Sequence, residues 1–350
     1  MKDILGRMKD EIILGAEGYL FELERRGYVK AGPYVPEVVL EFPNAVEELH
    51  REFLRAGADV MVAFTYYAHR EKMKAIGREG DLEPLNRQAL RIARKVAAEG
   101  DAYVAGNICN TWAFDPDNAK VSGEVVREIY REQLQWAVEE GVDFIIAETN
   151  DYLGEALIAL EVIQEFKLPS MITFASVRHD DKTLDEYALD EACKILDDHG
   201  ADIVGLNCSR GPETFLPLIE KVRNSVKCFV AAQPSPYHTT HDKPTFQALV
   251  QDDPRHYLVL DPFVCTRFEM GDFAVKAKDL GVNYIGICCG GAPHHVRQMA
   301  EQLGHTAAAS RFSSDFSLHP IYGEDVKEQY TDYSKEWIGD ADGSAEDDKA

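Results

Sequence analysis

The segment NYIGICCGGAPHHVRQMAEQLG (283–304) reads as one complete structural unit. YIGICC (284–289) is a short, nearly continuous apolar run, as expected of a strand buried on both faces. Two glycines follow it, and Pro293 opens an amphipathic stretch that stops at Gly304. A strand, a glycine loop and a helix in that order form the repeating element of a parallel α/β fold.

The same unit recurs along the chain. The other apolar runs are EIILG (11–15), DVMVAFTYY (59–67), AYVAGNI (102–108), DFIIAET (143–149), SMITFAS (170–176), DIVGLNC (202–208) and CFVAAQ (228–233). Helical patterns lie between them, at 45–57, 83–100, 123–141, 154–166, 184–200, 212–225 and 273–281. Several end on a glycine just before the next strand (Gly57, Gly141, Gly200, Gly281), where a left-handed residue turns the chain back. Eight strands alternating with eight helices predict a (β/α)8 TIM barrel. A doubly wound open sheet is the competitor, but the count closes at eight and no G-x-G-x-x-G opens a helix. The barrel is expected over 1–304. A short aromatic C-terminal extension (305–338) should dock on the barrel or on a partner subunit, and an acidic tail (339–350) should be disordered.

Of the 350 residues, 61 are acidic and 37 basic, a formal net charge of −24. Such a chain repels nucleic acid and anionic membranes, leaving small molecules and a possible homo-oligomer as the expected partners. No stretch reaches the roughly 18 uncharged apolar residues of a membrane helix. The opening MKDILGRMKDEIILG has charges too close together for an export signal, so a cytoplasmic location is expected. Seven cysteines in a reducing compartment do not suggest a disulfide framework.

Barrel active sites sit at the C-terminal ends of the strands. Cys208 ends the sixth run, and Cys288 and Cys289 end the eighth. Adjacent cysteines on a regular strand face opposite ways, so the chain must leave the pleat for both to reach one ion; Gly290 and Gly291 permit that. Three thiolates suit Zn2+ in a tetrahedron whose fourth position stays open. Thiolate ligands make zinc a weak Lewis acid, better at keeping an incoming thiol ionised than at activating water. A zinc hydrolase or lyase would call for histidine or carboxylate ligands and ranks lower. Glu148 ends the fourth run and could hold a substrate ammonium; Glu17 and Gly18 follow the first, where backbone N–H groups lie open to a carboxylate. Tyr34, Tyr66, Tyr67 and Trp112 lie near the mouth, where aromatic faces attract onium groups, and Gln233 and His238 are polar rim candidates.

Taken together, FELERRGYVKAGPYVPE (21–37), LHREFLRAGADVM (49–61), FTYYA (64–68), ARKVAAEGDAYVAG (93–106), VDFIIAE (142–148), NCSRGPE (207–213), QPSPYHT (233–239) and NYIGICCGGAPHHVRQMAEQL (283–303) resemble the homocysteine S-methyltransferase family, most nearly its betaine-using branch. The resemblance implies a zinc enzyme that moves a methyl group from an onium donor to the thiolate of homocysteine, giving methionine. It places Cys208, Cys288 and Cys289 as zinc ligands and Glu148 as the acid holding the homocysteine ammonium. Tyr67 and Tyr34 fall in the donor pocket, Tyr34 where betaine-using members have tryptophan. Asn207, beside Cys208, joins the substrate-binding candidates. Glycine betaine is the first choice of donor; S-methylmethionine, dimethylsulfoniopropionate or another betaine is the alternative. The chain departs from the family at Gly15-Ala16-Glu17-Gly18, where Ala16 replaces an acid and Glu17 stands one residue along, and at Thr149, where the betaine enzymes have an aromatic residue.

Overall fold

A computed structural model describes residues 3–29 and 36–319, and all eight expected strands form within them. They are β1 (Ile13–Leu14), β2 (Val60–Val62), β3 (Tyr103–Cys109), β4 (Phe144–Asn150), β5 (Ser170–Ala175), β6 (Ile203–Asn207), β7 (Phe229–Gln233) and β8 (Tyr284–Ile285). Every ladder is parallel, in the order β1-β8-β7-β6-β5-β4-β3-β2. Every residue of β3, β5 and β6 is buried, the double-sided burial that their continuous apolar runs require. The result is the (β/α)8 barrel.

The seam between β1 and β2 closes through one residue. Asp59 N–H donates to the Leu14 carbonyl (2.8 Å), and Leu14 N–H donates to the Asp59 carboxylate (2.8 Å). The arrangement repeats around the barrel floor. Val104 N–H donates to Asp143 (2.7 Å), Ser170 N–H to Asp202 (2.9 Å) and Val230 N–H to Asn283 (3.2 Å). Each of these side chains sits two residues after a turn glycine: Gly57, Gly141, Gly200 and Gly281, all with positive φ. The sequence motif is therefore G-[AV]-[DN]. Glycine reverses the chain, the apolar residue packs inward, and the acid or amide accepts an N–H from the neighbouring strand. The glycines are legible as C-caps; their partners two residues on are a signal of equal regularity that helix periodicity passes over.

The helices follow the expected spans with three shifted starts, one of them at Ala119 instead of residue 123. The helix expected from residue 184 begins at Leu189. Asp185 instead turns its carboxylate onto the N–H groups of Leu153 and Gly154 (2.9 Å each), capping the helix Leu153–Glu165. The helix expected at 273–281 starts earlier, at Arg267, because Thr266 and Glu269 form a reciprocal capping box. Short helices Ile4–Met8, Tyr19–Arg25 and Arg70–Ala75 were outside the expected set.

Contacts divide the chain into Met1–Ala308 and Ala309–Ala350. Of the second unit, residues 309–319 are described, with 3₁₀ turns at Ala308–Phe312 and Phe316–Leu318. Most of the expected extension, the whole acidic tail, and Tyr34 lie outside the described residues.

Candidate active site

At the C-terminal rim the backbone departs repeatedly from strand geometry. Tyr67, Trp112, Thr149, Cys208 and Ser209 all have φ between 58° and 66°. Non-glycine residues hold this left-handed conformation only where the surroundings enforce it. At β6 the departure turns Cys208 inward just after the ladder ends. After β8 the chain still runs beside β7, with Gly286 N–H donating to Ala232 O (3.0 Å) and Cys288 N–H to Pro234 O (2.9 Å). Gly290 then turns at φ 88°, and Gly291 N–H donates back to Cys288 O (2.9 Å). A side chain at Gly290 would place Cβ 2.2 Å from the Tyr237 hydroxyl. Gly18 (φ 91°) crosses the same loop, where a Cβ would lie 2.6 Å from the Cys288 carbonyl oxygen. The loop closes only because these positions lack side chains.

This folding brings Cys208, Cys288 and Cys289 together, with all three sulfurs within 4.8 Å of one another. Phe21, Tyr237, Phe246, Val250 and Leu260 form a small apolar cluster with Cys208 and Cys288, and Cys289 packs against it. The three thiols cannot all ionise side by side. Hydrogen bonds from Cys288 and Cys289 hold the Cys208 thiol well below its usual range, and that charge pushes the other two well above theirs. Three clustered sulfurs, those of buried Cys208 and Cys288 and half-buried Cys289, fit a thiophilic cation, which would let all three ionise.

A cavity of about 60 Å³ opens over the sulfurs, lined by Glu17, Gly18, Tyr19, Tyr66, Asn107, Glu148 and Thr149 among others. Glu17 and Glu148 are both buried, and each brings a carboxylate oxygen within 4.8 Å of the other and of the Cys288 sulfur. Asn107 donates to Glu148 Oε1 (2.6 Å), and Asn207 donates to Oε2 (3.2 Å). Neither Glu17 oxygen makes a well-formed hydrogen bond. Burial, then the Glu148 charge, pushes the Glu17 carboxyl well above its usual range. Burial likewise raises Glu148 to about 7. Two adjacent buried carboxylates that pair with no basic side chain among the described residues suit a bound cation.

Asn207 is the hub of this wall. It donates to Thr149 Oγ1 (2.7 Å) and accepts from Thr149 N–H (2.9 Å) and Thr173 Oγ1 (2.8 Å). Its bonds to Glu148 and Thr149 position the acid. Tyr66 lines the cavity, while Tyr67 stacks behind it with ring centroids 4.3 Å apart. Trp112 is 57% exposed and meets Tyr67 edge-on at 5.1 Å. Gln233 is fully buried and is hydrogen-bond distance from Glu17, and His238 lies away from the cysteines on another cavity. Asn107 and Ser235, whose hydroxyl sits 3.7 Å from the Cys208 sulfur, were not singled out from the sequence. Each is the polar residue in or just after an apolar run, a signal shared by many residues with no role in a site.

The homocysteine S-methyltransferase family model matches residues 17–303, which span all the elements that build this cavity. The chain belongs to the homocysteine S-methyltransferase family. Its relatives within the family include betaine–homocysteine S-methyltransferase 1 of Xenopus tropicalis, 39% identical over 313 residues, covering 86% of this chain and 75% of that protein. The S-methylmethionine–homocysteine S-methyltransferase of Pongo abelii is 38% identical over 311 residues, covering 86% and 81%. The homocysteine methyltransferase MmuM of Escherichia coli, in its metallated form, shares the fold with a TM-score of 0.67 at 19% identity, over 84% of this chain and 97% of that one. Like the other members, this chain is an S-methyltransferase by descent and by fold, with a cysteine cluster able to hold a metal.

Proposed function

We propose that this protein transfers a methyl group from an onium donor, glycine betaine first, to the sulfur of homocysteine, giving methionine, with zinc held by Cys208, Cys288 and Cys289. The observation that carries the reading is a single cavity lined by both the three clustered thiols and two buried carboxylates. Homocysteine carries the matching groups, a sulfur and an ammonium.

When bound, zinc supplies the charge that keeps the homocysteine sulfur a thiolate at neutral pH. The protein's own residues do the rest. Glu148 and Glu17 take the ammonium, and Asn107 and Asn207 hold the Glu148 carboxylate in place. Gly18, whose lack of a side chain lets the loops approach, lines the cavity where the substrate carboxylate would lie. The apolar cluster around the cysteines excludes water that would blunt the nucleophile. The sulfur lone pair then forms the new S–CH3 bond as the methyl–nitrogen bond of betaine breaks, and its electron pair leaves with a neutral tertiary amine. Tyr66, which lines the cavity with Tyr67 stacked behind it, presents an aromatic ring to the onium.

A sulfonium donor is the second reading, favoured by the similarity to an S-methylmethionine-using relative and by Thr149, which lines the cavity where the betaine enzymes are expected to have an aromatic residue. The test is to load the protein with zinc and supply homocysteine with glycine betaine, S-methylmethionine or dimethylsulfoniopropionate in turn. Methionine from betaine above the others supports the first choice, and from a sulfonium alone the second. No methionine from any donor, or full activity after zinc removal, overturns the reading.

A further inference from the structure

A second set of metal-ligating side chains lies away from the cysteine cluster. His238, Cys265 and Glu269 offer a ring nitrogen, a thiol sulfur and a carboxylate oxygen, all within 4.8 Å of one another. None of them lines the cavity over Cys208, Cys288 and Cys289. They face a separate cavity of about 500 Å³ between the helices Pro212–Ser225 and Arg267–Asp279.

The three groups are held in place before any ion arrives. The loop after β7 pairs with the segment leading into the second helix: His238 N–H donates to Phe263 O (2.8 Å) and Cys265 N–H to Pro236 O (2.9 Å). Glu269 Oε2 accepts from Thr266 N–H (2.7 Å) and Thr266 Oγ1 (2.8 Å), which fixes the plane of the carboxylate, and it lies 3.6 Å from His238 Nε2. Cys265 is 5% exposed and lines the cavity, and its sulfur has no hydrogen-bond partner in another residue among the described residues. Glu213, Glu220 and Asp272 line the same cavity, where Lys276 is the one lysine or arginine among the lining residues. The surroundings therefore favour a cation, and a mixed nitrogen, sulfur and oxygen donor set suits a borderline divalent ion.

We propose that His238, Cys265 and Glu269 form a second metal site for one zinc-like divalent ion, with its fourth position open to water. Binding releases the Cys265 thiol proton to solvent, and the resulting thiolate and the Glu269 carboxylate balance the two charges of the ion. The site sits on the same loop that supports the cysteine cluster. Pro234 O accepts from Cys288 N–H (2.9 Å), and the Ser235 hydroxyl meets the Cys208 sulfur at 3.7 Å. An ion on His238 anchors the far end of that loop to the helix Arg267–Asp279.

Metal content tests this in the full-length protein. The chain is stripped with a chelator, reloaded with excess zinc, desalted and measured by atomic emission. His238→Ala, a change at a half-exposed side chain, and Cys265→Ser should each hold one zinc fewer per chain than the unmodified protein, with unchanged circular dichroism. Glu269→Gln, which keeps the helix cap, should weaken retention of the same ion. Zinc content equal to the unmodified protein in folded His238→Ala overturns the proposal. Cys208→Ala serves as the counter-measurement, because it removes only the ion at the cysteine cluster. The difference between the unmodified protein and His238→Ala is thus read independently of whether that first site fills.

Discussion

Glu17→Gln should make the substrate-free protein more stable and a worse enzyme. Glu17 is 4% exposed, makes no well-formed hydrogen bond, and faces the carboxylate of Glu148. Glutamine keeps the shape, removes one like charge, and brings a donor toward Glu148. An unsatisfied buried polar group costs about 1–3 kcal/mol, so relief of that order is expected. In domains of 150–250 residues each kcal/mol moves Tm by about 2–4 °C, which makes the rise measurable by calorimetry. Homocysteine then meets one carboxylate where it met two. Loss of one hydrogen bond between charged groups removes about 1.5–3 kcal/mol of binding, a KM for homocysteine raised roughly 10- to 150-fold. Steady-state assays with zinc-loaded protein read that directly. An acceptor thiol without an amine, 3-mercaptopropionate, provides the control, since its KM should not rise. A Glu17→Gln protein with an unchanged homocysteine KM refutes the ammonium role. A fall in Tm refutes the claim that the Glu17 carboxylate is unsatisfied without substrate.

Gly18→Ala should fold as a barrel but lose zinc retention, because its Cβ would sit 2.6 Å from the Cys288 carbonyl at φ 91° and push the cysteine loop outward; metal content beside circular dichroism separates the two effects. Asp143→Ala and Asp202→Ala should each cost about 1.5–3 kcal/mol in urea unfolding, with the asparagine versions milder, since each carboxylate accepts an N–H from the neighbouring strand. His50 is fully buried with no hydrogen-bond partner on either ring nitrogen, and burial lowers it from 6.5 to about 4. The folded state therefore keeps it neutral while the unfolded chain takes up a proton below 6.5, so its contribution is present above that pH and is lost between 6.5 and about 4. His50→Phe should remove one proton from the acid slope, worth up to about 3 kcal/mol at pH 4, and an unchanged slope in stability measured from pH 7 to 4 refutes it.

The barrel was legible because its signals are redundant. Eight buried strands, the glycine turns and the spacing of the helices each point to the same closure, so early ends to β2 at Val62 and β8 at Ile285 do not disturb it. The clustering of Cys208, Cys288 and Cys289 was legible for a related reason: strand-end position is a topological property that survives local error. The carboxylate pair was legible only in half. Glu148 ends a strand, but whether Glu17 reaches the same cavity depends on the backbone of Gly15 to Gly18, and no periodicity encodes it. Asn207 shows the same limit. Its place beside Cys208 is evident, whereas its bonds to Thr149 and Thr173 join residues 58 and 34 positions away. The His238–Cys265–Glu269 cluster was invisible as a group because backbone pairing between two loops brings it together.

The charge inventory of the cavity bears on why an onium donor suits it. In the proposed complex, three cysteine thiolates and the homocysteine sulfur would carry four negative charges against the two of a zinc ion. The single positive charge of the homocysteine ammonium would offset at most one of the carboxylates of Glu148 and Glu17. The filled site therefore remains anionic on the side where the methyl must arrive. A quaternary ammonium or sulfonium is drawn to that field, and the low dielectric of the apolar surroundings strengthens the attraction. Methyl transfer discharges it. The sulfur becomes a neutral thioether, the onium becomes a neutral amine or sulfide, and the attraction between the two partners falls away at the moment of reaction. Charge neutralisation along the reaction path thus favours both the displacement and the release of the spent donor. A neutral methyl donor gains nothing from this field, so the anionic cavity selects for the positive charge of its donor as much as for its shape.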